Sequence, residues 1–284
     1  MSDLSGFVGL GHLGRPICQR LLKRGFALAV HDRRPDAARD LPAVVCAHPR
    51  EVAERCELVQ VCVQTDEQCE DVVLGPEGLL AGARPGMAIA LHSTVRPQTA
   101  RKLAEAAHER GVELIDAPLA GRGIFSVRDG SFWILAGGDA ATVERFRPLL
   151  EPISARILLV GPVGAGSAVK LAHNVMVYLS LLAALEAGDF ARATGVPIDV
   201  LEAVASATGT LSERMHVHLE QREGGYARAR AEGLIDDADL HTYAEILVKD
   251  LRDAIEVAQE HGVRLPGAEL AASLAHRFFD PKGD

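Results

Sequence analysis

The chain has 284 residues with 48% hydrophobic and 24% charged content, which is the composition of a globular protein rather than a disordered one, and long enough for two domains. Its formal net charge of −9 argues against nucleic acid as a main partner, because no basic stripe is present to meet a phosphate backbone. The five cysteines, Cys18, Cys46, Cys56, Cys62 and Cys69, are odd in number and contain no Cys-x-x-Cys pair. They argue against a disulfide framework or zinc site and for a reducing, cytoplasmic setting.

The amino terminus, Met-Ser-Asp-Leu-Ser, lacks the charged region and cleavage site of a secretory signal. Strands are predicted at Gly6–Leu10, Ala27–Asp32, Leu58–Val63, Met87–Leu91, Glu113–Pro118 and Phe132–Ala136. Several are continuous apolar runs, as in strands covered on both faces. Helical patterns such as Gly14–Arg24 and Arg96–Arg110 fill the gaps, with Gly25 and Gly111 at their stops. This alternation predicts a mostly parallel, doubly wound α/β sheet.

After Gly161-Pro162 the pattern changes to helix. Gly166–Thr194 predicts one helix of roughly 29 residues and ~43 Å, apolar on nearly every side. Its uninterrupted apolar run, 175–185, is too short to span a bilayer, so no membrane association is expected. Burying such a helix all round calls for a second subunit, giving a homodimer or homotetramer. Further helices are predicted at Asp199–Ser206, Asp239–His261 and Pro266–Phe279, with 223–238 as an exposed connection or poorly ordered helix. The boundary expected is 1–162 for a dinucleotide-binding domain and 163–284 for an all-helical substrate and dimerisation domain.

Gly9-Leu10-Gly11-His12-Leu13-Gly14 follows an apolar strand and opens a helix, the context a dinucleotide fingerprint requires. Gly9 permits the tight turn, Gly11 lets the backbone approach a pyrophosphate, and Gly14 allows close helix–sheet packing. His12 either touches a cofactor phosphate or fills space. Asp32 ends the second strand, where a carboxylate meets ribose hydroxyls and favours NAD over NADP. Arg33 and Arg34 either meet a 2′-phosphate or adenine, or form a solvated turn.

Within Gly164–Asn174, Lys170 and Asn174 lie four residues apart, on one helix face. An amine and a carboxamide on an apolar surface need partners, and a small polar substrate can supply them. The alternative is a snorkelling lysine beside a helix-start asparagine. Ser93-Thr94 ends a strand where a doubly wound sheet presents its ligands. Asp116-Ala117-Pro118-Leu119-Ala120-Gly121 ends the next, and Lys249-Asp250 lies in a late helix. His173 points away from the Lys170–Asn174 face, and His216-x-His218 has no third ligand placed for a metal, so no metal site is expected. Phe125, Phe132 and Trp133 are expected to pack the sheet.

In this order, from about residue 5 to about residue 275, these segments resemble the β-hydroxyacid dehydrogenase family, which includes 3-hydroxyisobutyrate dehydrogenase and tartronate semialdehyde reductase and is related to 6-phosphogluconate dehydrogenase. The resemblance implies a Rossmann-type domain joined by the long helix to an all-α domain, with the active site in the cleft between them. It implies hydride transfer between NAD(P) and a small β-hydroxyacid or its semialdehyde. Lys170 matches the family's catalytic acid–base and Asn174 the residue that positions substrate. Ser93 and Thr94 match contacts to substrate and nicotinamide, Val63 belongs with the cofactor contacts, and Lys249 matches a lysine that closes over the site. A free lysine is a poor base near neutrality, with a pKa of about 10.4. Burial and a neighbouring cationic ring would both lower it.

One segment departs from the family. Its Ser-Gly-Gly carboxylate cradle is replaced by Ala120, Gly121 and Arg122, and the Gly123–Gly130 loop looks one residue longer. Arg122 either anchors an anionic substrate group or points to solvent, with a less polar pocket. The alternatives to a hydroxyacid dehydrogenase are an imine reductase-like enzyme, against which Lys170 counts, and a non-catalytic dinucleotide-binding protein of the same fold.

Overall fold

The structure, a computed structural model, describes residues 4–121, 124–232 and 236–279. The chain divides into two compact units, Met1–Lys170 and Leu171–Asp284, and the division falls inside the long helix.

In chain order the first unit contains β1 (Leu4–Val8), α1 (Gly14–Lys23), β2 (Ala27–His31), β3 (Val44–Val45), α2 (Pro49–Arg55), β4 (Leu58–Val61), α3 (Asp66–Leu74), α4 (Leu79–Gly82), β5 (Ala88–Leu91), α5 (Pro97–His108), β6 (Glu113–Asp116), β7 (Leu119–Ala120), α6 (Ile124–Asp129), β8 (Phe132–Gly137), α7 (Ala140–Leu150) and β9 (Ser154–Gly161). Among the described residues the strand order is β3-β2-β1-β4-β5-β6-β8-β7, with β9 beside β8.

Pairing is parallel from β3 through β6. The sheet is mostly parallel, as expected, with β8 antiparallel to both β6 and β7 and β9 parallel to β8. Consecutive strand residues go to opposite faces. Phe7, Val30, Leu58 and Ala88 join one apolar cluster, and their neighbours Val8, Ala29, Val59 and Ile89 join another. Two covered faces explain the continuous apolar runs in the sequence. The order reverses between β1 and β4, so the segments after β1, β2, β4, β5 and β6 share the carboxyl edge where such sheets bind ligands.

The long helix α8 runs Ala165–Ala193. The second unit continues with α9 (Ile198–Ala207), α10 (Glu213–Glu220), α11 (Tyr226–Ala231), α12 (Asp237–Glu260), α13 (Pro266–Ser273) and α14 (Ala275–Phe279). Leu181, Leu182 and Leu185 of α8 pack with Leu247, Leu251 and Phe278. Asp236 caps α12 with a reciprocal capping box to Asp239.

As expected for a helix this apolar, α8 is not buried all round within one chain: Met176 is 73% and Phe190 71% exposed. Three expectations change. By length and composition α8 could cross a membrane, since its apolar character continues beyond the 175–185 run, although its inner stripe packs as in a globular helical unit. The 123–130 segment is helix rather than loop over Ile124–Asp129. Trp133 does not pack in the sheet core. It is 44% exposed with the Arg156 guanidinium 5.1 Å from its ring, whereas Phe132 is buried. The side chain of Phe125 lies outside the described residues.

Candidate active site

The glycine loop joins β1 to α1. Gly9 adopts φ +97° and donates its N–H to the His31 carbonyl. A Cβ on Gly9 would lie 2.3 Å from the Cys62 carbonyl oxygen, and one on Gly14 1.9 Å from that of Gly9. Both positions therefore exclude any side chain. Gly11 is different, because an added Cβ there meets no atom within 4 Å. The openness beside Gly11 is the space a pyrophosphate needs to reach the backbone at the start of a helix.

Asp32, just past β2, closes this loop from the side. Its Oδ2 accepts from Leu10 N at 2.6 Å, and its Oδ1 accepts from the N–H and Nε of Arg34 at 2.8 and 3.2 Å. Burial opposes its ionisation, but the Arg34 and Leu10 amides and the Arg34 guanidinium outweigh that and hold the carboxyl below its usual range. Arg34 also donates to the Leu10 carbonyl at 3.0 Å, so its guanidinium is drawn back onto the loop. An open cleft of about 410 Å³ is lined by Leu10, Gly11, His12, Arg15, Arg34 and Asp36. His12, Arg33 and Arg34 are exposed and Leu13 half-buried. Arg15 was missed in the sequence. As the first residue beyond the last loop glycine it could have been found, and its guanidinium crosses to the Ala37 and Arg39 carbonyls.

At the ends of β4 and β5, the buried Ser93 hydroxyl accepts from Val63 N at 2.9 Å, and Thr94 is half-buried. Behind Ser93 lies a polar cluster that the sequence reading overlooked. His92 Nδ1 is 2.7 Å from the Ala117 carbonyl and Nε2 2.9 Å from the Gln60 carboxamide, which in turn reaches the Ser5 hydroxyl at 3.3 Å. Burial pushes the His92 pKa down to about 4, against the pull of the Ala117 carbonyl. A neutral ring donates once. It can therefore donate to the Ala117 carbonyl or to Gln60 Oε1 but not to both, while the Gln60 amino group donates to the Ser5 hydroxyl.

Ala120 and Gly121 are half-buried beside β8. A Cβ on Gly121 would lie 2.6 Å from Ser126 Oγ and 2.7 Å from the Phe132 ring, so this segment fits tightly against its own unit. Arg122, the proposed anchor, lies outside the described residues.

Helix α8 carries the half-buried Lys170 and the buried Asn174 four residues on. Asn174 does not stand alone. Its Nδ2 donates to Asp250 Oδ2 at 2.7 Å, and the Tyr178 hydroxyl donates to the same oxygen at 3.1 Å. Lys249 reaches Asp250 at 3.1 Å and Asp253 at 2.9 Å. Burial works against the Lys249 charge, but the two carboxylates outweigh it and raise its pKa above the usual lysine value. Asn174 and Lys249 are thus brought together through Asp250, which the sequence reading had not counted in the site.

His216 pairs with Glu202 at 2.7 Å, and His218 is buried 6.2 Å from the Phe278 ring. No group able to hold a metal occurs among the described residues.

Two family descriptions match the chain. One, the NAD-binding domain of 6-phosphogluconate dehydrogenase, covers residues 5–161. The other, the NAD-binding domain of NADP-dependent 3-hydroxyisobutyrate dehydrogenase, covers residues 164–283. The chain is 31% identical to the NAD-dependent L-serine dehydrogenase of Pseudomonas aeruginosa over 271 residues, 94% of this chain and 89% of that one. It is 34% identical to the 2-hydroxy-3-oxopropionate reductase of Escherichia coli over 220 residues, 76% of this chain and 74% of the relative. The crystal structure of a 3-hydroxyisobutyrate dehydrogenase from Salmonella typhimurium superposes with TM-score 0.80 at 25% identity, covering 96% and 92% of the two chains.

Proposed function

Because the chain belongs to the β-hydroxyacid dehydrogenase family, we propose that it interconverts a small β-hydroxyacid and its semialdehyde with NAD(P), using Lys170 as the acid–base. The observation that carries this reading is the placement of Lys170 and the buried Asn174 one turn apart on α8, with Asn174 held by Asp250.

The loop fits a dinucleotide. Gly9 and Gly14 fix its path, Gly11 leaves room for phosphates, the start of α1 offers its N–H groups, and Asp32 can accept from ribose hydroxyls. A nicotinamide bound there supplies the acceptor or donor of hydride. Lys170 takes the hydroxyl proton when the alcohol is oxidised, and returns it to the carbonyl oxygen in reduction. Asn174 holds the reacting oxygen without titrating, which is catalysis by position. Asp32 disfavours a 2′-phosphate on that ribose, so NAD is the preferred cofactor.

Met176 and Phe190 of α8 and Val200 and Val204 of α9 are exposed apolar side chains that a second copy of the chain covers in a homodimer or homotetramer. The site serves a soluble cytoplasmic enzyme. A screen of hydroxyacids, aldehydes and cyclic imines with NAD(H) and NADP(H), followed by nicotinamide absorbance, tests the reading. Turnover of a β-hydroxyacid supports it. Turnover of imines alone favours the imine reductase-like alternative, and cofactor binding with no turnover favours a non-catalytic protein.

A further inference from the structure

We propose that Asp116 is a positioning residue for the reaction: its buried carboxylate fixes the first turn of α8 and so sets where the Lys170 amine lies. The proposal rests on the reading of Lys170 as the acid–base.

Asp116 is the last residue of β6 and is 0% exposed. Its Oδ1 accepts from Gly164 N at 2.9 Å, and its Oδ2 accepts from Ser167 N at 2.7 Å. Both donors belong to the amino end of α8, where N–H groups have no partner within the helix and a negative charge meets the positive end of the dipole. One carboxylate therefore grips the helix at two points, three residues apart. Ser167 in turn is three residues, about 4.5 Å of helix rise, before Lys170. A tilt or slide of the first turn would carry the amine with it.

The surroundings are shaped to this contact. Gly164 takes φ +94°, a conformation that side chains rarely adopt. A Cβ on Gly137 would lie 2.1 Å from Asp116 Oδ1. A Cβ on Gly166 would lie 2.2 Å from the Leu135 carbonyl oxygen, 2.8 Å from that of Asp116, and 3.0 Å from Asp116 Oδ2. The helix start can approach the sheet this closely only because these positions are glycine. Burial pushes the Asp116 pKa up to about 6, against the Ser167 and Gly164 hydrogen bonds. The charge is thus not what makes the folded state favourable, and a neutral isostere is expected to fold. What the carboxylate supplies is two acceptor oxygens in fixed places. In Asp116→Asn one of those oxygens becomes an amino group facing a backbone N–H, and one anchor is lost.

The test uses the full-length enzyme and three variants, Asp116→Asn, Asp116→Ala and Lys170→Ala. Thermal unfolding, NAD(H) affinity, kcat and KM are measured for each. The proposal expects Asp116→Asn to lose about tenfold or more in kcat, with cofactor Kd and substrate KM within about twofold of wild type. Asp116→Ala, which lacks both anchors, should lose more kcat than Asp116→Asn. A folded Asp116→Asn or Asp116→Ala with wild-type kcat overturns it. So does a parallel loss of cofactor affinity, which would mark a general loosening of the fold. If Lys170→Ala keeps wild-type turnover, the reading of Lys170 fails. If Lys170→Ala is inactive while the Asp116 variants are unaffected, only the positioning role fails.

Discussion

Asn174 donates its amino end to Asp250 Oδ2 at 2.7 Å, which turns the carboxamide so that its oxygen is the end left to accept from a ligand. Asp250 is 3% exposed and also holds Tyr178 and Lys249. Asp250→Ala should therefore cost about 1–3 kcal/mol of stability, because it strands buried donors. It should also lower kcat about tenfold or more, through loss of Asn174 orientation. Urea unfolding and steady-state kinetics on the same preparation check both effects.

The three loop glycines should separate in their effects. Gly14→Ala puts a Cβ 1.9 Å from the Gly9 carbonyl oxygen and should destabilise the protein by about 3 kcal/mol. Gly11→Ala finds open space, so its stability should stay within about 0.5 kcal/mol of wild type. Its cofactor Kd should nonetheless weaken about tenfold or more, because the methyl group occupies the pyrophosphate approach. Thermal unfolding with and without NADH resolves the two cases.

Asp32 has a double task in this account, bracing Leu10 N and meeting the ribose. Asp32→Ala should weaken NADH binding by about 1.5–3 kcal/mol and NADPH binding by less, narrowing the preference for NAD. Fluorescence titration of both cofactors measures the ratio. Equal losses would mean that Asp32 only braces the loop.

His92 gives a pH signature. Burial holds its folded pKa near 4, below the value of 6.5 it has when unfolded. The unfolded chain therefore binds a proton that the folded chain does not, and stability falls as pH drops from about 6.5 toward 4. His218, also depressed to about 4 by burial and then by Arg222, acts in the same direction. Asp116, raised to about 6, acts in the opposite direction across part of that range. In His92→Leu the acid-side fall in thermal midpoint should be shallower than in wild type. The midpoint near pH 7 should drop, since Gln60 loses its partner. An unchanged acid-side slope would contradict the assignment.

The central strands and the glycine loop were legible in the sequence because both sheet faces are covered, leaving unbroken apolar runs that end in ligand-facing residues. The β9 strand was not, because Ser154–Gly161 is half-exposed and interrupted by Arg156. The two-residue β3 and β7 are too short to carry a pattern. Lys170 and Asn174 were legible because helical spacing alone places them on one face. Asp250 was not counted because nothing in the sequence marks which carboxylate meets Asn174 from 76 residues away. The partners of Asp116 are backbone N–H groups 48 and 51 residues on, which leave no signature in side-chain identity. His92 and Gln60 could have been noticed as polar residues in or beside otherwise apolar central strands.

The central claim is that Lys170 moves the proton. The most direct measurement compares single-turnover rates of wild type and Lys170→Ala with a hydroxyacid that the wild type oxidises, alongside NADH affinity. The account predicts a rate loss of about 10²–10⁴-fold with cofactor Kd unchanged within about twofold. A Lys170→Ala enzyme that turns over at the wild-type rate would contradict it.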